Sequence, residues 1–95
     1  MNILIKNGYV LDPANGVSEK RDVCISEGRI CAGSDAFRPE LTVDASGLAV
    51  CPGFIDIHMH EDPVENGRIY DDPVKSGGSR LLRMGVTTGI GGNCG

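Results

Sequence analysis

The sequence predicts a β-rich first half followed by the first strand, helix and strand of a parallel (β/α)8 barrel. Three observations lead to this fold class. Residues 2–50 form short apolar runs separated by turn dipeptides, with no helical period. Residues 54–60 form a run with two largely apolar faces, as a buried barrel strand has. A complete barrel needs about 250 residues, so we expect the barrel to be incomplete in 95 residues.

Composition excludes several classes of protein. The formal net charge is −4 and the nine basic residues are scattered, which argues against a nucleic-acid partner. No apolar run reaches the length of a membrane span or a signal-peptide core, so we expect a cytoplasmic protein without a membrane partner.

The four cysteines form no C-x-x-C pair. We expect reduced thiols, with Cys24, Cys31 and Cys51 as small core residues of strands, although an even count would permit disulfides in an oxidising compartment.

Three β-hairpins are predicted in the first half, each centred on a turn dipeptide. Their strands are 2–6 and 9–12 around Asn7-Gly8, 22–26 and 29–32 around Glu27-Gly28, and 41–44 and 48–51 around Ser46-Gly47. Residues 1–50 contain no candidate site. The pattern changes at Pro52-Gly53, so we assign residues 1–52 to a β-sheet domain and residues 53–95 to the start of the barrel.

Two histidines end the strand predicted over residues 54–60. Alternation along an extended strand places Asp56, His58 and His60 on one face, with the two imidazole bases roughly 6 to 7 Å apart. Rings at that spacing can reach one metal ion. His-x-His also occurs at solvated strand ends and in cores, and only its position at the carboxyl end of a barrel strand favours a site. Asp56 is placed to orient an imidazole.

The rest of the chain supplies a third candidate ligand. We expect a loop over residues 61–75, a helix over about 76–84 and a strand over 86–90. A right-handed crossover makes the two strands parallel, so His60 and Cys94 emerge at the same edge. The glycines around Cys94 favour a metal ligand or a nucleophile, while an ordinary loop thiol remains an alternative.

Three stretches resemble the amidohydrolase superfamily, and specifically its N-acyl-D-amino-acid deacylase (D-aminoacylase) branch. They are Ile3-Leu4-Ile5-Lys6-Asn7-Gly8 with the Val10-Leu11-Asp12-Pro13 that follows, Pro-Gly-Phe-Ile-Asp-Ile-His-Met-His at 52–60, and Gly-Val-Thr-Thr at 85–88 with Gly-Asn-Cys-Gly at 92–95. The resemblance implies a β-sandwich subdomain over residues 1 to about 50 and a TIM-like metal-dependent hydrolase barrel from residue 54. It implies one or two zinc ions per complete enzyme, with His58 and His60 at the weaker metal position and Cys94 on the tightly held zinc. The family's later histidines and its general-base aspartate are missing, so no catalytic residue is expected within this fragment.

The resemblance implies hydrolysis of a carbon–nitrogen amide bond in an N-acyl amino acid or related amide. One alternative is a cyclic-amide hydrolase of the dihydroorotase or hydantoinase type. The Gly-Asn-Cys-Gly motif argues against this alternative. Another is a non-catalytic module that self-associates through exposed barrel edges.

Overall fold

The computed structural model describes residues 1–60 and 77–92. The chain divides into two compact units, Met1–Pro52 and Gly53–Gly95, and each is described by itself. Among the described residues, no helix has the length and apolar character needed to cross a bilayer.

The first unit is a five-stranded sheet. Its strands are β1 (Asn2–Asp12), β2 (Val17–Ser26), β3 (Arg29–Cys31), β4 (Leu41–Asp44) and β5 (Ala49–Val50), and a 3-10 turn over Pro13–Asn15 joins β1 to β2. The spatial order is β3-β2-β1-β4, and β5 also pairs with β1. The strand β2 is antiparallel to both β1 and β3, whereas β4 and β5 run parallel to β1. The β-rich character predicted for this half is therefore confirmed.

The hairpin predicted around Asn7-Gly8 is wrong, because β1 runs through this dipeptide as one strand. A type I′ turn needs positive φ at both central residues. Asn7 has φ 64°, but Gly8 is not among the positive-φ residues. The pairing of β1 with β2 shifts register between Ile5 and Gly8, and the backbone N–H of Asn7 donates to Asp22 Oδ1 at 2.9 Å. Asn7 therefore forms a β-bulge, and β1 pairs with β2 on both sides of it.

The two strands predicted around Ser46-Gly47 are present, but they do not pair with each other as a hairpin. Both β4 and β5 lie along the same edge of β1, one after the other. The intervening turn is closed by a hydrogen bond from Leu48 N–H to the Ala45 carbonyl at 2.9 Å. Ala45 N–H donates to the Lys6 carbonyl and Tyr9 N–H donates to the Leu48 carbonyl, at 2.9 and 3.0 Å. These bonds hold the turn against the bulge of β1, so the chain continues forward along β1 and does not reverse.

The carboxylate of Asp44 ties this turn to the bulge. Its Oδ1 atom accepts hydrogen bonds from Ser46 Oγ at 2.6 Å, from Ser46 N–H at 3.1 Å and from Asn7 Nδ2 at 3.1 Å. The Ser46 hydroxyl contributes most, followed by the Asn7 amide, and together these donors lower the pKa of Asp44 from 3.8 to about 2.

The hairpin predicted around Glu27-Gly28 is confirmed. Glu27 and Gly28 have φ 49° and 72°, as a type I′ turn requires, and Ser26 pairs with Arg29 across it.

The three cysteines predicted to be core residues of strands differ in burial. Cys24 is buried, Cys31 is half-buried, and Cys51 is exposed because it follows β5 and lies outside the sheet.

The second unit contains a parallel strand pair and a helix. These elements are β6 (Phe54–Asp56), α1 (Gly77–Arg83) and β7 (Val86–Gly89), and Gly85 with φ 86° follows the helix. Phe54 pairs with Val86, Ile55 with Thr88 and Asp56 with Gly89. The parallel pairing predicted for these strands is therefore confirmed. The predicted loop over 61–75 lies outside the described residues.

The predicted extent of the strand β6 is wrong. The strand ends at Asp56 and not at residue 60, because the chain bends at Ile57 and His58. Phe54 and Ile55 are 60% and 63% exposed, as expected for apolar faces that only a complete barrel would cover. The described residues do not show a barrel.

Candidate metal centre

The two histidines lie close together just beyond the end of β6. The ring centroids of His58 and His60 are 5.5 Å apart, with an angle of 50° between the ring planes. Both residues are exposed. The bend after Asp56 brings them together, so their proximity does not arise from the alternation of a straight strand.

Backbone hydrogen bonds from the neighbouring strand hold this segment. Ile90 N–H donates to the Asp56 carbonyl at 2.9 Å, and Met59 N–H donates to the Ile90 carbonyl at 3.1 Å. Ile90 directly follows β7, so the parallel pairing of β6 and β7 continues as far as the histidines. Sequence reasoning missed this role of Ile90, because it depends on the register between two strands whose paired residues are 32 or 33 positions apart in the sequence.

Gly89 leaves space for the side chain of Met59, the residue between the two histidines in the sequence. A Cβ atom at position 89 would overlap the sulfur of Met59. The thioether of Met59 therefore packs directly against the backbone of β7. This contact and the Ile90 hydrogen bonds together determine where the backbone between His58 and His60 lies.

Asp56 acts on the backbone of the segment that carries the two histidines. Its Oδ1 atom accepts a hydrogen bond from the backbone N–H of His58 at 3.1 Å. A carboxylate that binds the N–H two residues further on forms an Asx turn, which ends an extended strand. The spacing Asp-x-His could have indicated this turn. The orienting contact predicted between Asp56 and an imidazole stays a prediction.

The two imidazoles fit part of a zinc site. Imidazole nitrogens bind zinc at about 2.0 to 2.1 Å, so two rings on one tetrahedral ion have centres about 5 Å apart. The observed 5.5 Å is compatible with that arrangement. Within residues 1–60 and 77–92, no group of three or more histidine, cysteine or acidic residues comes together as a metal site. Cys94 lies outside the described residues, so the three-ligand site predicted from the sequence stays a prediction.

Comparison with known proteins identifies relatives along most of this chain. Dihydroorotase from Syntrophotalea carbinolica is 48% identical over 90 residues, which are 92% of this chain and 20% of the relative. Dihydroorotase from Aquifex aeolicus is 38% identical over 91 residues, which are 93% of this chain and 21% of the relative. The chain thus spans about a fifth of the length of these relatives. No family model matches the sequence.

Solved structures give a second set of similarities. N-acyl-D-glutamate deacylase from Bordetella bronchiseptica, solved with zinc and a phosphonate inhibitor, matches 98% of this chain and 19% of its own, with a TM-score of 0.71 and 33% identity. A D-hydantoinase matches 70% of this chain and 14% of its own, with a TM-score of 0.55 and 40% identity. These relatives do not confirm the D-aminoacylase branch, since dihydroorotases lead the sequence matches. The sequence relatives and structural neighbours together support the placement of this chain in the amidohydrolase superfamily.

Proposed function

We propose that this chain is part of a zinc-dependent hydrolase that cleaves a carbon–nitrogen amide bond. The observation that carries the proposal is the pair of imidazoles, 5.5 Å apart, at the carboxyl end of a strand in a parallel pair. Barrel enzymes place their active sites at that end of their strands. The matched dihydroorotases, deacylase and hydantoinase are hydrolases of this chemical class, which supports the same reaction type.

Each residue of the candidate centre has a role in this proposal. His58 and His60 would hold zinc through ring nitrogens, with Cys94 as a further ligand. When bound, zinc supplies a Lewis acid for the amide carbonyl and a water whose pKa is about 7. Asp56 holds the backbone of His58 and thereby limits the positions that the first imidazole takes. The group that carries the proton from water to the leaving amine lies outside this chain in our proposal.

Two substrate classes have support from different observations. Identity of 48% with a dihydroorotase favours a cyclic amide. The match of 98% of the chain to an N-acyl-D-glutamate deacylase favours an open-chain N-acyl-D-amino acid, as does the Gly-Asn-Cys-Gly motif. The two classes differ in whether hydrolysis opens a ring or releases a separate carboxylic acid.

The test uses the longest reading frame that contains residues 1–95. The purified, zinc-loaded protein is assayed with dihydroorotate and with N-acetyl-D-glutamate. We expect turnover of one of them and a loss of at least about 100-fold when His58→Asn and His60→Asn are combined. Cys51→Ser, at an exposed thiol in the first unit, is the control and should keep full activity.

Two results would count against the proposal. Absence of turnover with both compounds would argue against an amide hydrolase of either type. Appreciable turnover by the 95-residue chain alone would contradict our placement of the proton carrier outside it.

A non-catalytic, self-associating module is a second candidate, and exposed apolar side chains favour it. Phe54, Ile55 and Ile57 in and after β6 are 60%, 63% and 72% exposed, and Leu82 and Met84 are 64% and 71% exposed. Apolar surface of this kind promotes association. Sedimentation velocity of the 95-residue chain would detect it, and a monomer at all concentrations would exclude it. We also propose a cytoplasmic location without nucleic-acid or membrane partners.

A further inference from the structure

Two cysteines face each other across the hairpin of β2 and β3. Cys24 pairs with Cys31 in the strand register, and both are free thiols. Ser26 and Arg29 form the pair that closes the two-residue turn, so Cys24 and Cys31 form the next hydrogen-bonded pair along the ladder. The Cα atoms of such a pair are about 5.5 Å apart. Directly opposed residues also lie on the same face of a sheet.

The two thiols differ in exposure and line one cleft. Cys24 is 8% exposed, whereas Cys31 is half-buried. The cleft has a volume of about 650 Å³, and Leu4 and Phe37 also line it. Gly33 lies close to the inner thiol, since a Cβ atom there would be 3.2 Å from Cys24 Sγ. A small molecule in this cleft would therefore reach the sulfur of Cys31 before that of Cys24.

We propose that Cys24 and Cys31 form a modification site that small-molecule disulfides convert into an intramolecular disulfide. The Cα spacing of this pair lies within the about 4.4 to 6.8 Å at which disulfides form, but the Cβ atoms of a directly opposed hydrogen-bonded pair are about 5.5 Å apart, beyond the roughly 3.5 to 4.5 Å of an unstrained disulfide. Closure therefore requires a local shift of β2 and β3 towards each other, and the resulting strain makes the disulfide readily reducible. This inference is independent of the amide hydrolase, because it concerns the other unit of the chain.

The reaction proceeds in two exchange steps. The thiolate of Cys31 attacks one sulfur of the small disulfide, forms a mixed disulfide and releases the first small thiolate. The thiolate of Cys24 then attacks the Cys31 sulfur, forms the Cys24–Cys31 bond and releases the second small thiolate. The two protons from the cysteine thiols end on the two released thiolates. The protein pair is oxidised by two electrons, and the small disulfide is reduced by two.

Oxidised glutathione is the probe, and the chain with Cys51→Ser and Cys94→Ser is the test protein. This variant retains two thiols, Cys24 and Cys31, and is equilibrated in mixtures of reduced and oxidised glutathione with a metal chelator. Intact mass separates a closed disulfide, which has lost two hydrogens, from glutathione adducts. The ratio of the two species gives the effective concentration of one thiol near the other.

A matched control moves one thiol to the opposite face of β3. It combines Cys31→Ser with Ile30→Cys in the same background, which changes the separation along the chain by one residue. Residue 30 pairs with Ile25, and its side chain leaves the opposite face of the strand from that of residue 31. In urea the two proteins should close equally well, because unfolded closure depends only weakly on loop length.

The folded proteins should differ. In native buffer we expect the Cys24–Cys31 pair to have an effective concentration at least about tenfold higher than that of the control, because the hairpin holds these two thiols on one face of the sheet. The control should close less well in native buffer than in urea. Peptide mapping of the wild type should show Cys24 joined to Cys31. Equal closure of test protein and control in native buffer would overturn the proposal, as would glutathione adducts on Cys31 without closure.

Discussion

Replacing Gly8 by alanine tests whether the bulge in β1 packs as the structure shows. Gly8 is buried, and a Cβ atom at this position would lie 2.5 Å from Val50 Cγ2 and 3.1 Å from Ala45 Cβ. Ordinary contacts of a Cβ atom are 3.4–4 Å. The backbone of Gly8 is not in the left-handed region, so it does not itself exclude alanine. The penalty for Gly8→Ala therefore comes from the contact with Val50.

The magnitude follows from two opposing effects. A methyl group forced into a packed site costs about 1 to 3 kcal/mol in the free energy of unfolding. The reduced freedom of alanine in the unfolded chain returns about 0.4 to 1 kcal/mol. The midpoints of these ranges, about 2 and about 0.7 kcal/mol, leave a loss of about 1.3 kcal/mol, which is the decrease we expect for Gly8→Ala in the free energy of unfolding.

A double-mutant cycle with Val50→Ala isolates the contact. Urea unfolding followed by far-ultraviolet circular dichroism measures stability. Amide hydrogen exchange at Tyr9, whose N–H donates to the Leu48 carbonyl at 3.0 Å, reports on the same region. With Val50 shortened, Gly8→Ala should cost at least about 1 kcal/mol less than it does alone. Additive effects of the two substitutions, or no loss from Gly8→Ala, would refute the packing argument.

Two further predictions concern the Asp44 turn and the candidate centre. The pKa of Asp44 is lowered to about 2, so its hydrogen bonds stabilise the fold above the unfolded pKa of 3.8, and this stability is lost as pH falls towards 2. In Asp44→Asn the urea midpoint of unfolding should fall less between pH 5 and pH 2 than it does in the wild type. An equal fall in both proteins would show that other groups cause the pH dependence. Gly89→Ala should displace Met59 and weaken zinc binding by about tenfold, as measured by competition with a chromogenic chelator, and Gly89→Ala with Met59→Ala should restore it. Equal zinc affinity of Gly89→Ala and wild type would show that this contact does not position the histidines.

The turns show how far local sequence determines this fold. Glu27-Gly28 forms a hairpin as its sequence predicts, whereas Asn7-Gly8, a stronger hairpin signal, forms a bulge. The difference lies in Asp22, which is 15 residues from Asn7 and accepts its N–H. The dipeptide alone carries no information about that partner. Strand positions were therefore more predictable than strand pairing.

At the candidate centre, too, local features could be predicted from the sequence and features that depend on distant partners could not. The strand before His58 and its parallel partner could be predicted, because apolar and β-branched runs are local signals. The end of the strand at Asp56 was missed, since a hydrogen bond from the His58 backbone and the Ile90 hydrogen bonds together produce the bend. The proximity of His58 and His60 was predicted correctly, although it arises from a bend and not from an extended strand.

The most direct test of the central claim is a zinc titration followed through the histidine rings. The chain contains two histidines, so nitrogen-15 NMR of the imidazoles assigns each signal by comparison with His58→Asn and His60→Asn. We predict that one equivalent of zinc shifts ring nitrogens of both His58 and His60, and that either substitution weakens the response of the other ring. Zinc that leaves one or both rings unchanged would contradict a shared metal site.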